Sequence, residues 1–150
     1  MSLRKYGPLW LICFLFMSAT GSSKHTVWVI INNASSDRQP VDIKLNIIDQ
    51  KEVSTVIAEQ QIPAGIRQLP EKKYKEGVYQ VSAGAGNGQL WFTRPFTLDS
   101  ERWILINYIR EDSANIIKSH GYLDTTVFKK INGLYATLNI YVENRRPAGL

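Results

Sequence analysis

The chain has 150 residues, is 44% hydrophobic and 21% charged, and carries a formal net charge of +5. This length and apolar content suffice for one domain with its own hydrophobic core and exclude a low-complexity disordered chain. The net charge is too small to indicate a nucleic-acid partner.

The first 21 residues differ in kind from the rest. They begin with Arg4 and Lys5 and no acid, continue through the apolar run Leu9–Met17, and end with small residues at Ala19 and Gly21. This order is typical of a secretory signal peptide, and the apolar run is too short to span a bilayer. We predict cleavage after Gly21, with cleavage after Ala19 or an uncleaved anchor as alternatives. The mature protein, with net charge lowered from +5 to +3, is then secreted or periplasmic.

The only cysteine, Cys13, lies inside the predicted signal peptide. Its removal excludes thiol catalysis and internal disulfides in the mature chain. Small secreted animal domains usually use disulfides, so this favours a bacterial envelope. The triplet Asn33-Ala34-Ser35 is an N-glycosylation sequence and points the other way. The source therefore stays open.

Apolar residues alternate with polar ones along most of the mature chain. Residues 41–47 and 134–143 show this period of two and predict strands with one buried face. Residues 26–32 and 102–109 are apolar on both faces, which fits central strands or a sheet whose outer face meets something. Further predicted strands lie at 52–62, 78–84, 89–98 and 125–131.

The stretch GAGNG (84–88) raises the question of a phosphate-binding loop. Gln89 stands where the last glycine of a dinucleotide fingerprint would be, and a strand pattern follows where a helix is needed. Asn87-Gly88 instead predicts a two-residue turn that joins 78–84 to 89–98. Pro95 cannot donate to a β-ladder, so we expect its strand to lie at an edge or to be bulged there.

Two segments favour short helices. Residues 70–77 are bounded by a proline and a glycine, and residues 112–121 end at Gly121. A strand through residues 116 and 117 is the alternative for the second segment.

These elements predict an all-β fold: an antiparallel β-sandwich of about seven to nine strands over residues 22–144. The signal peptide at 1–21 precedes it, and a flexible tail at 145–150 follows it.

The phrase LPEKKYKEGVYQV (69–81), with Gly77, Tyr79 and Val81, resembles a phrase of prealbumin-like and other immunoglobulin-like β-sandwich domains. The general pattern is also similar to that of small exported bacterial β-sandwich proteins of unknown function. The resemblance implies a sandwich used for adhesion, recognition or scaffolding, and it brings no catalytic residues.

The candidates for acid–base or metal chemistry are few. His120 and Asp124 are four residues apart and are the only plausible centre of a small secreted hydrolase. No third ligand accompanies them, and a loop histidine is the other interpretation. His25 would lie near a copper- or nickel-binding amino terminus only if cleavage fell after Ser22. The sequence predicts no metal and no cofactor.

Basic residues form clusters that could contact an acidic surface, although nearby acids make a solvated face the other interpretation. The clusters are Lys72-Lys73 with Lys75, Lys129-Lys130, and Arg145-Arg146.

Aromatic residues are the better guide to function. Tyr135, Thr137, Asn139 and Tyr141 share one face of the last strand, opposite its apolar face. Aromatic rings beside hydroxyl and amide groups suit stacking on sugars or packing on a protein, and cross-strand packing within the sheet is the alternative. Trp91 is a further candidate near the predicted hairpin tip.

We therefore expect an exported, non-enzymatic binding or interaction protein of the cell envelope or extracellular space. Its partner would be a protein or a glycan, with no nucleic acid and no membrane span after signal cleavage. A carbohydrate-binding accessory module and a small secreted hydrolase are the alternatives.

Overall fold

A computed structural model describes residues 22–85 and 89–148. Eleven strands and one helix lie in these ranges. In chain order they are β1 (Lys24–Ser35), β2 (Val41–Asp49), β3 (Ser54–Ile62), β4 (Gly65–Gln68), β5 (Lys72–Lys75), β6 (Gly77–Ala85), β7 (Gln89–Phe92), β8 (Phe96–Leu98), β9 (Arg102–Glu111), α1 (Ser113–His120), β10 (Lys129–Ile131) and β11 (Leu134–Glu143).

The strands form two sheets. The first sheet has the order β10-β11-β9-β1-β4, with β5 also pairing with β1. The second sheet has the order β3-β2-β6-β7, with β8 also pairing with β6. Among the described strands β1 and β9 pair in parallel, and the other neighbours are antiparallel. The expected all-β class and the predominance of antiparallel pairing are confirmed.

The core lies between the two sheets and follows from the alternation seen in the sequence. Strand β2 buries Val41, Ile43, Leu45 and Ile47 and leaves the polar side chains between them on its other face. Facing residues of the first sheet complete this cluster. Burying an aliphatic side chain of this size stabilises the fold by roughly 1.5–3 kcal/mol relative to exposing it.

The strands that are apolar on both faces occupy the middle of the first sheet, as predicted. Strand β1 lies between β9 and the β4–β5 edge, and β9 lies between β1 and β11. Their inward side chains belong to the core, while Ile30 on the outward face is also buried, at 2% exposure. The outer face of this sheet is therefore partly covered.

More strands are present than the seven to nine expected, because two edges are divided. β4 and β5 pair with different parts of β1, and β7 and β8 pair with different parts of β6. The second division contains Pro95 and lies at an edge, as predicted. The helix predicted for residues 70–77 is wrong, since this segment forms β5 and the start of β6. The proline and the glycine at the ends of this segment favour a short helix, but strand pairing with β1 outweighs this local preference.

Strands β6 and β7 form the predicted antiparallel pair, with Ala85 opposite Gln89. A strand therefore follows the glycine-rich stretch, as the hairpin prediction requires. The turn Asn87-Gly88 and the predicted signal peptide at 1–21 lie outside the described residues.

Helix α1 begins and ends at recognisable caps. The Asp112 carboxylate accepts a hydrogen bond from the backbone N–H of Asn115, and Gly121 adopts a left-handed φ of 82°. The predicted helix over this segment is confirmed, and the strand alternative is wrong. Ile116 is its buried residue, whereas Ile117 is 48% exposed.

Arg102 closes one end of the sandwich. The residue is only 8% exposed, and its Nη2 donates to the Asp99 carboxylate at 2.6 Å and to the Thr97 carbonyl at 2.9 Å. Hydrogen bonds from Ser100 and then from Arg102 lower the pKa of Asp99 below its usual value. The folded protein therefore favours the charged carboxylate.

This linkage predicts a pH dependence of stability. Because the pKa is lower in the folded state, the stabilisation from Asp99 is present above the unfolded-state pKa near 3.8 and is lost as the pH falls through the folded-state value. We expect Asp99→Asn to be less stable than wild type at pH 7 and to lose less stability between pH 5 and pH 3. Urea unfolding at several pH values in this range measures the free energy of unfolding, with Asp42→Asn as the exposed control. If this free energy falls equally with pH in wild type and Asp99→Asn, the prediction is contradicted.

Candidate binding surface

Three asparagines lie in register across the outer face of the first sheet. Asn32 of β1 pairs with Asn107 of β9, which in turn pairs with Asn139 of β11. The Asn32 amide donates from Nδ2 to the Asn107 Oδ1 at 2.9 Å. Among the described residues, the side chain of Asn139 makes no hydrogen bond, so its amide can still donate and accept.

The rows next to these asparagines are apolar and aromatic. Ile30, Leu105 and Tyr141 form the adjacent row, in which Tyr141 is 47% exposed. In the row beyond, Trp28 and Trp103 stack with ring centroids 5.2 Å apart and an interplanar angle of 11°. The exposed phenol ring of Tyr141 thus lies between the row of asparagine amides and the row of tryptophan indoles.

Helix α1 and the loop after it border one side of this face. His120 at the helix end packs edge-on against the buried Phe128, with ring centroids 5.4 Å apart. The end of helix α1, the loop after it and the outward side chains of β11 line a cavity of about 360 Å³. Its lining residues are His120, Tyr122, Asp124, Val127, Phe128, Thr137, Asn139 and Tyr141. We call it the helix-side cavity.

Thr137 gives the helix-side cavity an unsatisfied polar group. Its side chain is only 2% exposed, and the Oγ1 finds no hydrogen-bond partner among the described residues. Buried hydroxyls are ordinarily paired, because leaving one unpaired costs free energy. On the same face, the buried indole Nε1 of Trp28 also lacks a partner within the described ranges.

The last described residues border the other side of Tyr141. Leu105, Tyr141, Glu143, Arg145, Arg146 and Pro147 line a second cavity of about 400 Å³. The guanidinium carbon of Arg146 lies 5.7 Å from the ring centroid of Trp103. We call this the tail-side cavity, because it is built from the segment that the sequence predicts as a tail.

The structure brings together three of the five candidate residues. Thr137, Asn139 and Tyr141 line the helix-side cavity. Tyr135 shares their face but lines neither cavity, and Lys130 lies over its ring at 5.9 Å. Trp91 lies in the second sheet, half-buried against the core, while its neighbours Leu90 and Phe92 are exposed.

His120 and Asp124 both line the helix-side cavity, but each is engaged locally. The Nδ1 of His120 lies 2.8 Å from the Ser119 hydroxyl. The Asp124 carboxylate accepts hydrogen bonds from the Thr126 hydroxyl and backbone N–H, which lower its pKa. Asp124 therefore organises the loop. Within the described ranges, no cluster of three or more metal-ligating side chains occurs.

Sequence reasoning missed Asn32, Asn107 and Leu105 as parts of this surface. The alternation along β9 places Asn107 on the same face as Trp103 and Leu105, and this pattern is visible in the sequence. The place of Asn107 in the surface depends on its register with Asn32 and Asn139, which the sequence does not display.

The outer face of the second sheet holds a larger cavity of about 640 Å³ near Lys44 and Leu90.

No protein-family model, curated protein or solved structure matches the chain. In the part of the chain that the structure describes, no helix combines the length and apolar character needed to cross a bilayer.

Proposed function

We propose that this protein is an exported, non-enzymatic binding protein that recognises a glycan on the outer face of its first sheet. The observation that carries the proposal is the exposed ring of Tyr141 beside the unpaired amide of Asn139 and the buried, unpaired hydroxyl of Thr137. The export part rests on the sequence pattern of residues 1–21.

The chemistry of this surface matches that of a sugar. A sugar ring has an apolar C–H face, which stacks on an aromatic ring, and an edge of hydroxyl groups, which pair with amides and hydroxyls. Tyr141 supplies the first contact, and Asn139 and Thr137 supply the second. The helix-side cavity gives such a ligand a concave site whose polar lining groups can fix its orientation.

Binding to a glycan array tests the proposal, followed by affinity measurement for the best ligand. We expect Tyr141→Ala and Asn139→Ala each to weaken binding by roughly tenfold, since stacking or a hydrogen bond contributes about 1–1.5 kcal/mol. Phe92→Ala is the matched control, because Phe92 is similarly exposed but lies on the second sheet. Absence of binding to every glycan, or equal losses in all three variants, would contradict the proposal.

We also propose that the sandwich is of the prealbumin-like rather than the immunoglobulin-like type. In immunoglobulin constant-type sandwiches the first two strands share a sheet. Here β1 and β2 lie in different sheets, which supports the other type. Gly77, Tyr79 and Val81, which carry the sequence resemblance, all lie in β6.

A further inference from the structure

Aromatic rings make up much of the wall of the helix-side cavity. Four of its eight lining residues are His120, Tyr122, Phe128 and Tyr141. Tyr122 and Tyr141 are 67% and 47% exposed, so their rings are open to a ligand, whereas Phe128 is buried against His120. The volume of about 360 Å³ lies in the range of roughly 300–1,000 Å³ that is usual for small-molecule sites. The cavity can therefore hold a ligand group among aromatic rings.

The charge that lines this cavity is negative. Asp124 is one of the described residues that line it, and none of the others is a lysine or an arginine. Hydrogen bonds from the Thr126 hydroxyl and backbone N–H lower the pKa of Asp124, so its carboxylate is ionised at neutral pH. Both bonds end on Oδ1, at 2.6 Å and 2.8 Å, and Oδ2 receives neither. The nearby Lys129 donates to the Thr125 carbonyl at 2.9 Å. The Oδ2 of an ionised carboxylate is thus left to attract a cation.

His120 supplies a second acceptor. Its Nδ1 lies 2.8 Å from the Ser119 hydroxyl, which donates to the Asn115 carbonyl at 2.8 Å. A hydroxyl has a single hydrogen, so Nδ1 donates to the Ser119 oxygen, and the Nε2 of the neutral ring is an acceptor. A carboxylate and an imidazole nitrogen that both accept suit a ligand group with several N–H donors.

We propose that the glycan is an amino sugar oligomer whose protonated amine binds in the helix-side cavity. The ammonium lies against the ring of Tyr122 and donates to Asp124, while the sugar ring that carries it stacks on Tyr141. The electron-rich face of an aromatic ring attracts such a cation. This inference rests on the glycan-binding function proposed above and adds the chemical class of the ligand.

The overall charge of the protein does not supply this preference. The formal net charge is +5 for the whole chain and +3 without the predicted signal peptide, so the protein as a whole repels cations. A preference for an ammonium group therefore has to come from the local charge of the cavity.

Matched oligosaccharides test this inference by calorimetry at about pH 7. A sugar amine resembles an α-amino group, with a pKa of roughly 7.7–8, and is largely protonated there. The probes are trimers to pentamers of glucosamine and of galactosamine, each compared with two neutral counterparts of the same linkage. One counterpart is N-acetylated, and the other carries a hydroxyl in place of the amine, which removes the charge without adding bulk. We expect at least one amino oligomer to bind roughly fivefold to tenfold more tightly than both counterparts, and to weaken as NaCl is raised from about 0.05 to 0.5 M.

Variants locate the effect. Asp124→Asn removes the charge and keeps the Oδ1 that accepts from Thr126, so the loop should stay folded. It should bring the affinity for the amino oligomer down to that for its hydroxyl counterpart. Tyr122→Ala should also weaken the amino oligomer, whereas Tyr122→Phe keeps the ring and should not. Asp42→Asn removes an exposed carboxylate from the second sheet and should leave every affinity unchanged.

The outcomes separate this inference from the proposed function. If the amino oligomers bind no better than their neutral counterparts while Tyr141→Ala weakens all of them, the ammonium site alone is overturned. Equal losses in Asp124→Asn and Asp42→Asn would overturn it as well, because the attraction would then lie outside the cavity. If no oligosaccharide of any kind binds, both the glycan-binding function and this inference fail.

Discussion

Replacing Asn33 with alanine is expected to lower the free energy of unfolding by about 3 kcal/mol. Asn33 is 2% exposed at the end of β1 and links three segments of the chain. Its Nδ2 donates to the carbonyls of Ile62 at 2.9 Å and Gln39 at 3.0 Å, and its Oδ1 accepts from the Ser35 hydroxyl at 2.7 Å and backbone N–H at 3.2 Å. Alanine would leave the buried Ile62 carbonyl and the buried Ser35 groups without this partner, and each unpaired buried group costs about 1–3 kcal/mol.

Urea unfolding followed by tryptophan fluorescence measures this effect. Asn144→Ala is the control, because Asn144 is exposed and makes no side-chain hydrogen bond among the described residues. Asn33→Asp keeps the shape but removes the two donated hydrogen bonds and buries a charge, so we expect it to be at least as destabilising at pH 7. If Asn33→Ala stays within about 0.5 kcal/mol of the control, the network does not stabilise the fold.

This network also bears on the glycosylation triplet at 33–35. The atom that would carry a glycan is Asn33 Nδ2, which donates two hydrogen bonds to main-chain carbonyls. The hydroxyl of Ser35, the third residue of the triplet, belongs to the same network. These hydrogen bonds therefore account for both residues, and the triplet no longer indicates a glycosylated protein.

The period of two revealed which faces the strands would bury, but not which strands would be neighbours. It identified β2 and β11 as half-buried and β1 and β9 as apolar on both faces. The structure buries the inward faces of all four strands and leaves the outward faces of β1 and β9 partly buried. It could not reveal that β1 and β9 are parallel partners, because pairing depends on residues far apart in the chain.

The same distinction explains how much of the candidate surface could be predicted. Thr137, Asn139 and Tyr141 alternate within one strand, so their common face follows from the sequence alone. Asn107 gains its place only through the register with Asn139. The alternation around Trp91 required either Trp91 or its neighbours Leu90 and Phe92 to face outward. In the structure Trp91 packs against the core, and Leu90 and Phe92 are exposed.

Binding on the outer face of the first sheet is compatible with stability, because the core is separate from it. The inward side chains of β9, such as Ile104 and Ile106, are fully buried between the sheets. The outward side chains of the same strand, such as Leu105 and Asn107, are only partly buried. Substitutions of the partly exposed Tyr141 and Asn139 can therefore change binding at little cost in folding free energy, which keeps their tests interpretable.

The second large effect is expected at Ile116, where the fold and the candidate surface meet. Ile116 is fully buried and is the buried residue of α1. Ile116→Ala should lower the free energy of unfolding by about 3 kcal/mol, because it removes buried methyl groups and leaves a cavity. The helix ends at His120, which lines the helix-side cavity, so we also expect weaker glycan binding in this variant.

Ile117→Ala is the matched control, since Ile117 is the next residue on the same helix and is 48% exposed. Its unfolding free energy and glycan affinity should stay within about 0.5 kcal/mol of wild type, because helix propensity slightly favours alanine. Hydrogen exchange of the Gly121 amide, which donates to the Ile117 carbonyl at 2.8 Å, reports whether α1 stays docked. Equal stability and equal exchange in the two variants would contradict the role of Ile116. Loss of stability without loss of affinity would separate the helix from the binding surface, because the cavity wall would then be dispensable for the ligand.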